Sequence, residues 1–170
     1  IDNGYFNKNN FFIKLWFSLN KYVYSKAERI ITLSPPMKKS FLCDYPNLDN
    51  KISVISSWAD INKIKPLSRD NNWFVKKHNL QKKFVVLYSG NQGRCHDIDT
   101  ILNTALLLKS EKNVLFLFIG GGYKNTIIKN YKNKNRMTNI KLLPYQDFDD
   151  LPYSLTCADI AIISISDNAD

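Results

Sequence analysis

Short apolar runs that each stop at glycine or proline, separated by stretches whose apolar residues recur at spacings of three and four, leave this chain few folds to adopt. Residues 84–88, 114–119, 139–143 and 160–165 are such runs, and they read as strands. Between them, Ile98, Ile101, Leu102, Ala105 and Leu108 repeat at helical spacing, and further helices are predicted over 123–134 and 147–156. Strands alternating with helices predict an α/β fold: a parallel sheet with right-handed crossovers and helices on both faces. The run 160–165 is continuously apolar, as expected of a strand covered on both sides.

The first third repeats the theme on a smaller scale. Phe12, Leu15, Trp16, Leu19, Tyr22 and Val23 share one face of a helix predicted over 12–26, followed by a strand at 29–33. Ser34 is placed to cap a helix whose first turn tolerates Pro35 and Pro36, and residues 51–55 form the next strand. Residues 57–66 hold no period and include Trp58, Asp60 and Pro66, so they read as a linker. The expected organisation is a first Rossmann-like portion over 1–56, the linker over 57–66, and a second Rossmann-like portion over 67–170 opened by a helix at 69–80.

With 44% hydrophobic residues in 170, the chain can bury a core, which excludes a disordered class. Its longest apolar runs fall well short of the roughly 18 residues of a spanning helix. Three scattered cysteines without CxxC spacing argue against a disulfide framework or a structural zinc site, and a reducing cytosol is the expected setting. The net charge of +9 is spread along the chain, so skewed composition explains it as readily as an anionic partner does.

Ligands of open parallel sheets bind outside the carboxyl ends of the strands, where free amides and helix N-termini collect. Two glycine segments fall there. Ser89-Gly90-Asn91-Gln92-Gly93-Arg94 lacks the GxGxxG and Walker spacings, yet it suits a phosphate: glycine permits close backbone approach, and Arg94 can contact a pyrophosphate in bidentate fashion. His96 is a second candidate donor, although viewed alone such a residue is more often a capping or surface one. Gly120-Gly121-Gly122 either lets a base or ribose lie close or serves a strand-to-helix turn. Lys124, Lys129, Lys132, Lys134 and Arg136 read as a solvated helix face, and Asp147, Asp149 and Asp150 as helix-capping acids. No residue stands out as catalytic, and neither a GxSxG elbow nor a metal-spaced His and Cys cluster occurs.

In order, Ala27-Glu28-Arg29-Ile30-Ile31-Thr32-Leu33-Ser34 and Lys51-Ile52-Ser53-Val54-Ile55-Ser56-Ser57-Trp58-Ala59-Asp60 resemble the domain-joining region of glycosyltransferase family 4. Val86-Leu87-Tyr88-Ser89-Gly90-Asn91-Gln92-Gly93-Arg94, Phe118-Ile119-Gly120-Gly121-Gly122, Leu151-Pro152-Tyr153 and Ala158-Asp159-Ile160-Ala161 resemble its second domain. The Ser-Gly-Asn-x-Gly form is most similar to bacterial surface-polysaccharide transferases of the colanic-acid and O-antigen type. The resemblance implies a GT-B enzyme with an acceptor-side domain and a nucleotide-sugar domain. Transfer would be metal-independent and retaining, from a UDP-sugar to a saccharide or lipid-linked acceptor.

On that resemblance Gly90, Asn91, Gly93, Arg94 and His96 line the donor diphosphate. Gly120, Gly121, Gly122, Pro144 and Tyr145 border the nucleobase and ribose. His96 stands near where many relatives place a lysine on the phosphates. The family's glutamate pair would follow the strand at 160–165, so the sequence is expected to be an internal piece, inactive alone. The implied location is cytoplasmic, with peripheral contact to the inner membrane if Phe11, Phe12, Trp16 and Phe17 lie in its interface; packing of these aromatics on the first sheet is favoured. No cofactor and no nucleic-acid partner are implied. Two other readings remain at this stage: a nucleotide-sugar epimerase of similar build, and a basic module for nucleic acid or anionic lipid using residues 12–26 and 124–136.

Overall fold

The structure, a computed structural model, describes residues 10–166. The chain divides into two compact units, Ile1–Ala59 and Asp60–Asp170. Residues 1–9 and 167–170 of the predicted intervals lie outside the described residues.

In the first unit, α1 (Phe11–Lys26) starts where the Asn10 side chain accepts the Phe12 amide. Strand β1 (Ile30–Thr32) follows, then α2 (Pro35–Asp44), whose cap is Ser34 accepting from the Met37 amide at 3.2 Å. A 3-10 turn over Pro46–Lys51 leads to β2 (Ile52–Val54), which pairs in parallel with β1, Ile30 opposite Ile52. The C-terminal end of α1 is held by Tyr24, which packs edge-on against Phe41 and Tyr45, and by Lys51 Nζ, which donates to the Ser25 and Ala27 carbonyls. No residue of α1 is buried among the described residues. The expected packing of its aromatic face on the sheet is therefore not found: the two strands that the described residues place in this unit offer too narrow a face to cover a 16-residue helix.

The second unit is built on a four-stranded parallel sheet in the order β5-β4-β3-β6. Its elements are α3 (Trp73–Lys77), β3 (Phe84–Asn91), α4 (Ile98–Leu107), β4 (Val114–Gly121), α5 (Asn125–Lys134), β5 (Ile140–Leu143), α6 (Leu151–Leu155) and β6 (Ile160–Ala161). Alternation along the two central strands divides the core into layers. Val86, Tyr88, Phe116 and Phe118 pack with Ile98, Ile101, Leu102 and Ile128 of α4 and α5. Val85, Leu87, Leu115, Leu117 and Ile119 pack on the other face with Phe74 and Val75 of α3 and Cys157 beyond α6. Strand order first moves outward from β3 to β5, then returns to β6 on the far side of β3. The direction of winding thus reverses beside β3, and in open α/β sheets that is where a crevice opens at the carboxyl ends.

Four expectations need correction. The helix expected over 69–80 is only Trp73–Lys77, because the preceding polar side chains bind elsewhere. Arg69 reaches the Leu80 carbonyl at 2.8 Å and the Asp159 carboxylate at 2.6 Å, while buried Asn72 caps α3 and donates to the Tyr153 carbonyl. The strand from Phe84 does not stop at Tyr88 but runs to Asn91, since Ser89, Gly90 and Asn91 pair with Ile119, Gly120 and Gly121. Residues 160–165 hold only two strand residues, and Ile160 is half exposed, since among the described residues β6 pairs with β3 alone. The helix expected over 147–156 is a 3-10 turn, Phe148–Asp150, followed by α6. Neither Asp147 nor Asp150 caps through its side chain, and Asp149 instead lies 3.7 Å from Lys63 Nζ.

All three cysteines are free thiols, and they differ in environment: Cys43 is exposed, Cys95 intermediate and Cys157 buried. Burial pushes the Cys157 thiol up to about 11, so it stays protonated while an exposed thiol ionises. In the native protein at pH 8.5, a disulfide reagent should modify Cys43 within minutes and leave Cys157 unmodified until denaturant is added. Prompt modification of Cys157, located by peptide mapping, would contradict the core described above.

Candidate functional site

Strands β3 and β4 run side by side to Asn91 and Gly121, and the pairing of Gly90 with Gly120 just before that end requires glycine. A Cβ on Gly120 would lie 2.1 Å from the Gly90 carbonyl oxygen, and one on Gly122 would lie 2.3 Å from Asn91 Oδ1. Both residues also hold φ of +126°, a region that side chains disfavour. Gly90, with φ of +144°, differs: nothing lies within 4 Å of where its Cβ would be. Glycine therefore has two uses at this tip. Gly120 and Gly122 let the strand ends close on each other, whereas Gly90 leaves an open face.

Beyond Asn91 the chain turns through residues 92–97 to α4, capped by Asp97, whose carboxylate accepts the Thr100 amide at 3.1 Å. Hydrogen bonds from Thr100 hold that carboxyl below the usual range. Ser166 and Ser164 clasp the turn from outside, donating to the Cys95 and Asp97 carbonyls. Among the described residues the Gly93 amide has no acceptor, and the Asn91 amide group and the His96 ring both lie about 3.5 Å from where a Gly93 Cβ would be. The turn thus holds an N–H without an acceptor, with Asn91 and His96 beside the α-carbon of the same glycine.

His96 is oriented by Tyr88. The Tyr88 hydroxyl donates to the Asn91 carbonyl at 2.9 Å and also makes a short contact with His96 Nδ1. Burial raises the Tyr88 phenol above its ordinary value, so it keeps its single proton. The Cδ2 edge of the ring, which carries Nε2, is the edge beside Gly93.

The second loop, residues 122–125, braces the first at several points. The Lys124 amide donates to the Gln92 carbonyl at 2.9 Å, Lys124 Nζ to the His96 carbonyl at 2.7 Å, and Asn125 Nδ2 to Gln92 Oε1 at 2.8 Å. The Arg94 guanidinium lies over the Tyr123 ring, 4.2 Å from its centroid. Gln92 itself is fully buried, and its Nε2 has no partner among the described residues. Turning both amides over would only exchange which atom of Gln92 is left unpaired.

On the other side, Gly120 and Pro144 line a cavity of about 260 Å³ together with Asn125, Lys129, Leu142 and Leu143. Tyr145 lies against the Gly120 and Gly121 backbone, 3.2 Å and 3.4 Å from where their Cβ atoms would be, and is otherwise largely exposed. Of the three successive glycines only Gly120 lines the cavity.

All ten candidate positions thus lie at the carboxyl ends of β3, β4 and β5. Gly90, Asn91, Gly93 and His96 form one cluster, with Arg94 on the neighbouring loop's tyrosine; Pro144 and Tyr145 form a second beside Gly120. Gln92, Tyr123, Lys124 and Asn125 were not among the expected site residues. Lys124 is part-buried against His96 and departs from the expected solvated face, whereas Lys129, Lys134 and Arg136 are exposed as expected. The signal was available in position: Lys124 stands three residues beyond the glycine end of β4.

No family model matches the chain. A curated relative, the probable glycosyltransferase WbjE of Pseudomonas aeruginosa, is 24% identical over 164 residues, covering 96% of this chain and 40% of that protein. Among solved structures, Anabaena HepE in complex with UDP and glucose superposes with a TM-score of 0.72 at 16% identity, covering 88% of this chain and 41% of HepE. WaaG, a glycosyltransferase involved in lipopolysaccharide biosynthesis, gives 0.73 at 12% identity, covering 93% of this chain and 44% of WaaG. The α/β fold is that of GT-B glycosyltransferases. The chain spans about two fifths of the length of these proteins.

The two kinds of glycine can be told apart by substitution. Gly120→Ala should lower stability by about 3–5 kcal/mol, because the obstructing atom is backbone and φ is positive. Gly121→Ala, which meets only the Tyr145 ring at 3.4 Å, should cost about 1 kcal/mol or less. Denaturant unfolding of both variants measures the difference, and equal losses would contradict the close strand approach.

Proposed function

We propose that this protein is a glycosyltransferase that moves a sugar from a UDP-sugar to a saccharide or lipid-linked acceptor in surface-polysaccharide synthesis, with retention at the anomeric carbon. In this reading Ile1–Ala59 belongs to the acceptor-side domain and Asp60–Asp170 to the donor domain. The observation that carries it is the open strand tip at the winding reversal, where the unpartnered Gly93 amide lies among Asn91, Arg94 and His96. WbjE by its name and the UDP held by HepE support the same assignment, and the lipopolysaccharide role of WaaG supports the polysaccharide setting.

The chemistry asks for help with one event, departure of the nucleoside diphosphate as negative charge builds on its bridging oxygen. Donors fixed before the reaction stabilise that charge without reorganising. The Gly93 amide is such a donor, and Arg94, stacked on Tyr123, is held at the same loop. The open face of Gly90 leaves room for the phosphoryl oxygens, while the cavity bordered by Gly120 and Pro144, with Tyr145 alongside, receives the base and ribose. Bond cleavage places the electron pair on the departing diphosphate, and the acceptor hydroxyl adds to the same face of the sugar while its proton passes to a phosphoryl oxygen of that leaving group.

Calorimetric titration of the full-length protein with UDP tests this reading. Arg94→Ala should weaken binding about 10- to 100-fold, the effect of losing a hydrogen bond between charged groups. Wild-type protein that takes up no UDP would end the donor-site assignment.

No helix among the described residues is long and apolar enough to cross a membrane. Peripheral contact is proposed through α1, which exposes Phe11, Phe12 and Trp16 beside Lys14. Flotation with anionic lipid vesicles should carry the full-length protein upward, and Phe12→Asp with Trp16→Asp should reduce the floated fraction several-fold. An unchanged fraction would remove α1 from any membrane contact.

A further inference from the structure

We infer that Lys124 is a second cation of the diphosphate site, delivered from the loop after β4 to the tip of β3. The inference rests on the donor-site reading above and deepens it by naming a residue and the group it binds. Lys124 is fixed at both ends: its amide donates to the Gln92 carbonyl at 2.9 Å, and its Nζ donates to the His96 carbonyl at 2.7 Å. Those two carbonyls bracket the turn that carries the bare Gly93 amide. The ammonium is therefore held at this turn and not out on the solvated face of α5.

An ammonium carries three N–H groups, and the His96 carbonyl takes one. Asp97 lies close enough to feel the charge, but its carboxylate is occupied in capping α4 through Thr100. No ion pair of Lys124 with a carboxylate is found among the described residues. A part-buried cation with two donors to spare gains most from an anion that brings several acceptor oxygens. A nucleoside diphosphate does so, with two linked phosphoryl groups, and Arg94 and Lys124 then approach it from neighbouring loops. The carbonyl bond to His96 sets where the ammonium sits, and the phosphoryl oxygens take the remaining protons.

Binding by the full-length protein decides the matter, measured for UDP by calorimetry and for uridine by competition against UDP. Lys124→Met should weaken UDP about tenfold, leave uridine within twofold of wild type, and flatten the dependence of UDP affinity on salt. Lys124→Arg, which keeps the charge, should recover most of the loss. If Lys124 only braces the turn, Lys124→Met will weaken uridine and UDP alike, and the inference fails. Unaltered UDP affinity in Lys124→Met also overturns it, leaving the donor-site reading intact. Absence of UDP binding to the wild type overturns both.

Discussion

Two parallel strands that set glycine opposite glycine near their ends, Gly90 against Gly120, can stay paired to their last residues, where side chains would force them apart. That close approach, with the Gly90 carbonyl in the space a Gly120 side chain would need, is what the candidate site depends on. It carries the ladder out to Asn91 and Gly121, beyond the layer covered by helices. The chain after β3 therefore turns beyond the last paired residues, through buried Gln92 and half-buried Gly93 to exposed Arg94. Had the ladder ended at Tyr88, the same residues would form a loop with no fixed direction, and their amides would spend their time on water.

Topology decides what this tip can meet. Because β6 lies on the opposite side of β3 from β4, the chains leaving β3 and β6 are free to separate at their carboxyl ends. The segment after β6 turns back toward the β3 loop, and Ser164 and Ser166 take up the carbonyls of Asp97 and Cys95. Carbonyls are thus consumed on the outside of the turn while the Gly93 amide is left over. A turn with its acceptors used and a donor spare carries a local positive potential, and Arg94 and Lys124 add to it. Fold and electrostatics favour the same kind of ligand.

Much of the core could be read from period alone. Val85 and Leu87 face one layer, Val86 and Tyr88 the other, and β4 repeats the division, so alternation and burial coincide. Ser34 and Asp97 cap the helices they precede, as local chemistry requires. What could not be read was decided at long range. Arg69 and Asn72 sit in a stretch with helical composition, but their partners are Leu80, Asp159, Tyr153 and Thr156, and nothing in the local pattern announces those bonds. Glycine caused the opposite error. At residues 89–91 it resembled the start of a loop because its ordinary use is a turn, whereas here it permits a strand pairing that bulkier residues would prevent. All ten expected site residues do gather at the carboxyl ends of the sheet, since strand ends converge there whatever the loop details. Their individual contacts depend on Gln92, Lys124 and Asn125, whose types are as common on a surface as in a site.

Gln92 shows what that bracing costs. Its side chain is entirely buried, one end of its amide is bonded to Asn125, and the other finds no partner among the described residues, a deficit of about 1–3 kcal/mol. An apolar residue of similar volume would avoid the deficit and would also lose the bond to Asn125. That bond, with the two made by Lys124, ties the β3 loop to the β4 loop through polar contacts of defined direction, where apolar packing would leave both free to slide. A site that stabilises developing charge needs its donors in place before the charge appears, so stability given up at Gln92 is consistent with geometry retained at Gly93. The unpaired Gln92 amide stays inside that brace, whereas the Gly93 N–H and the Lys124 ammonium are the donors that the proposed anion would meet.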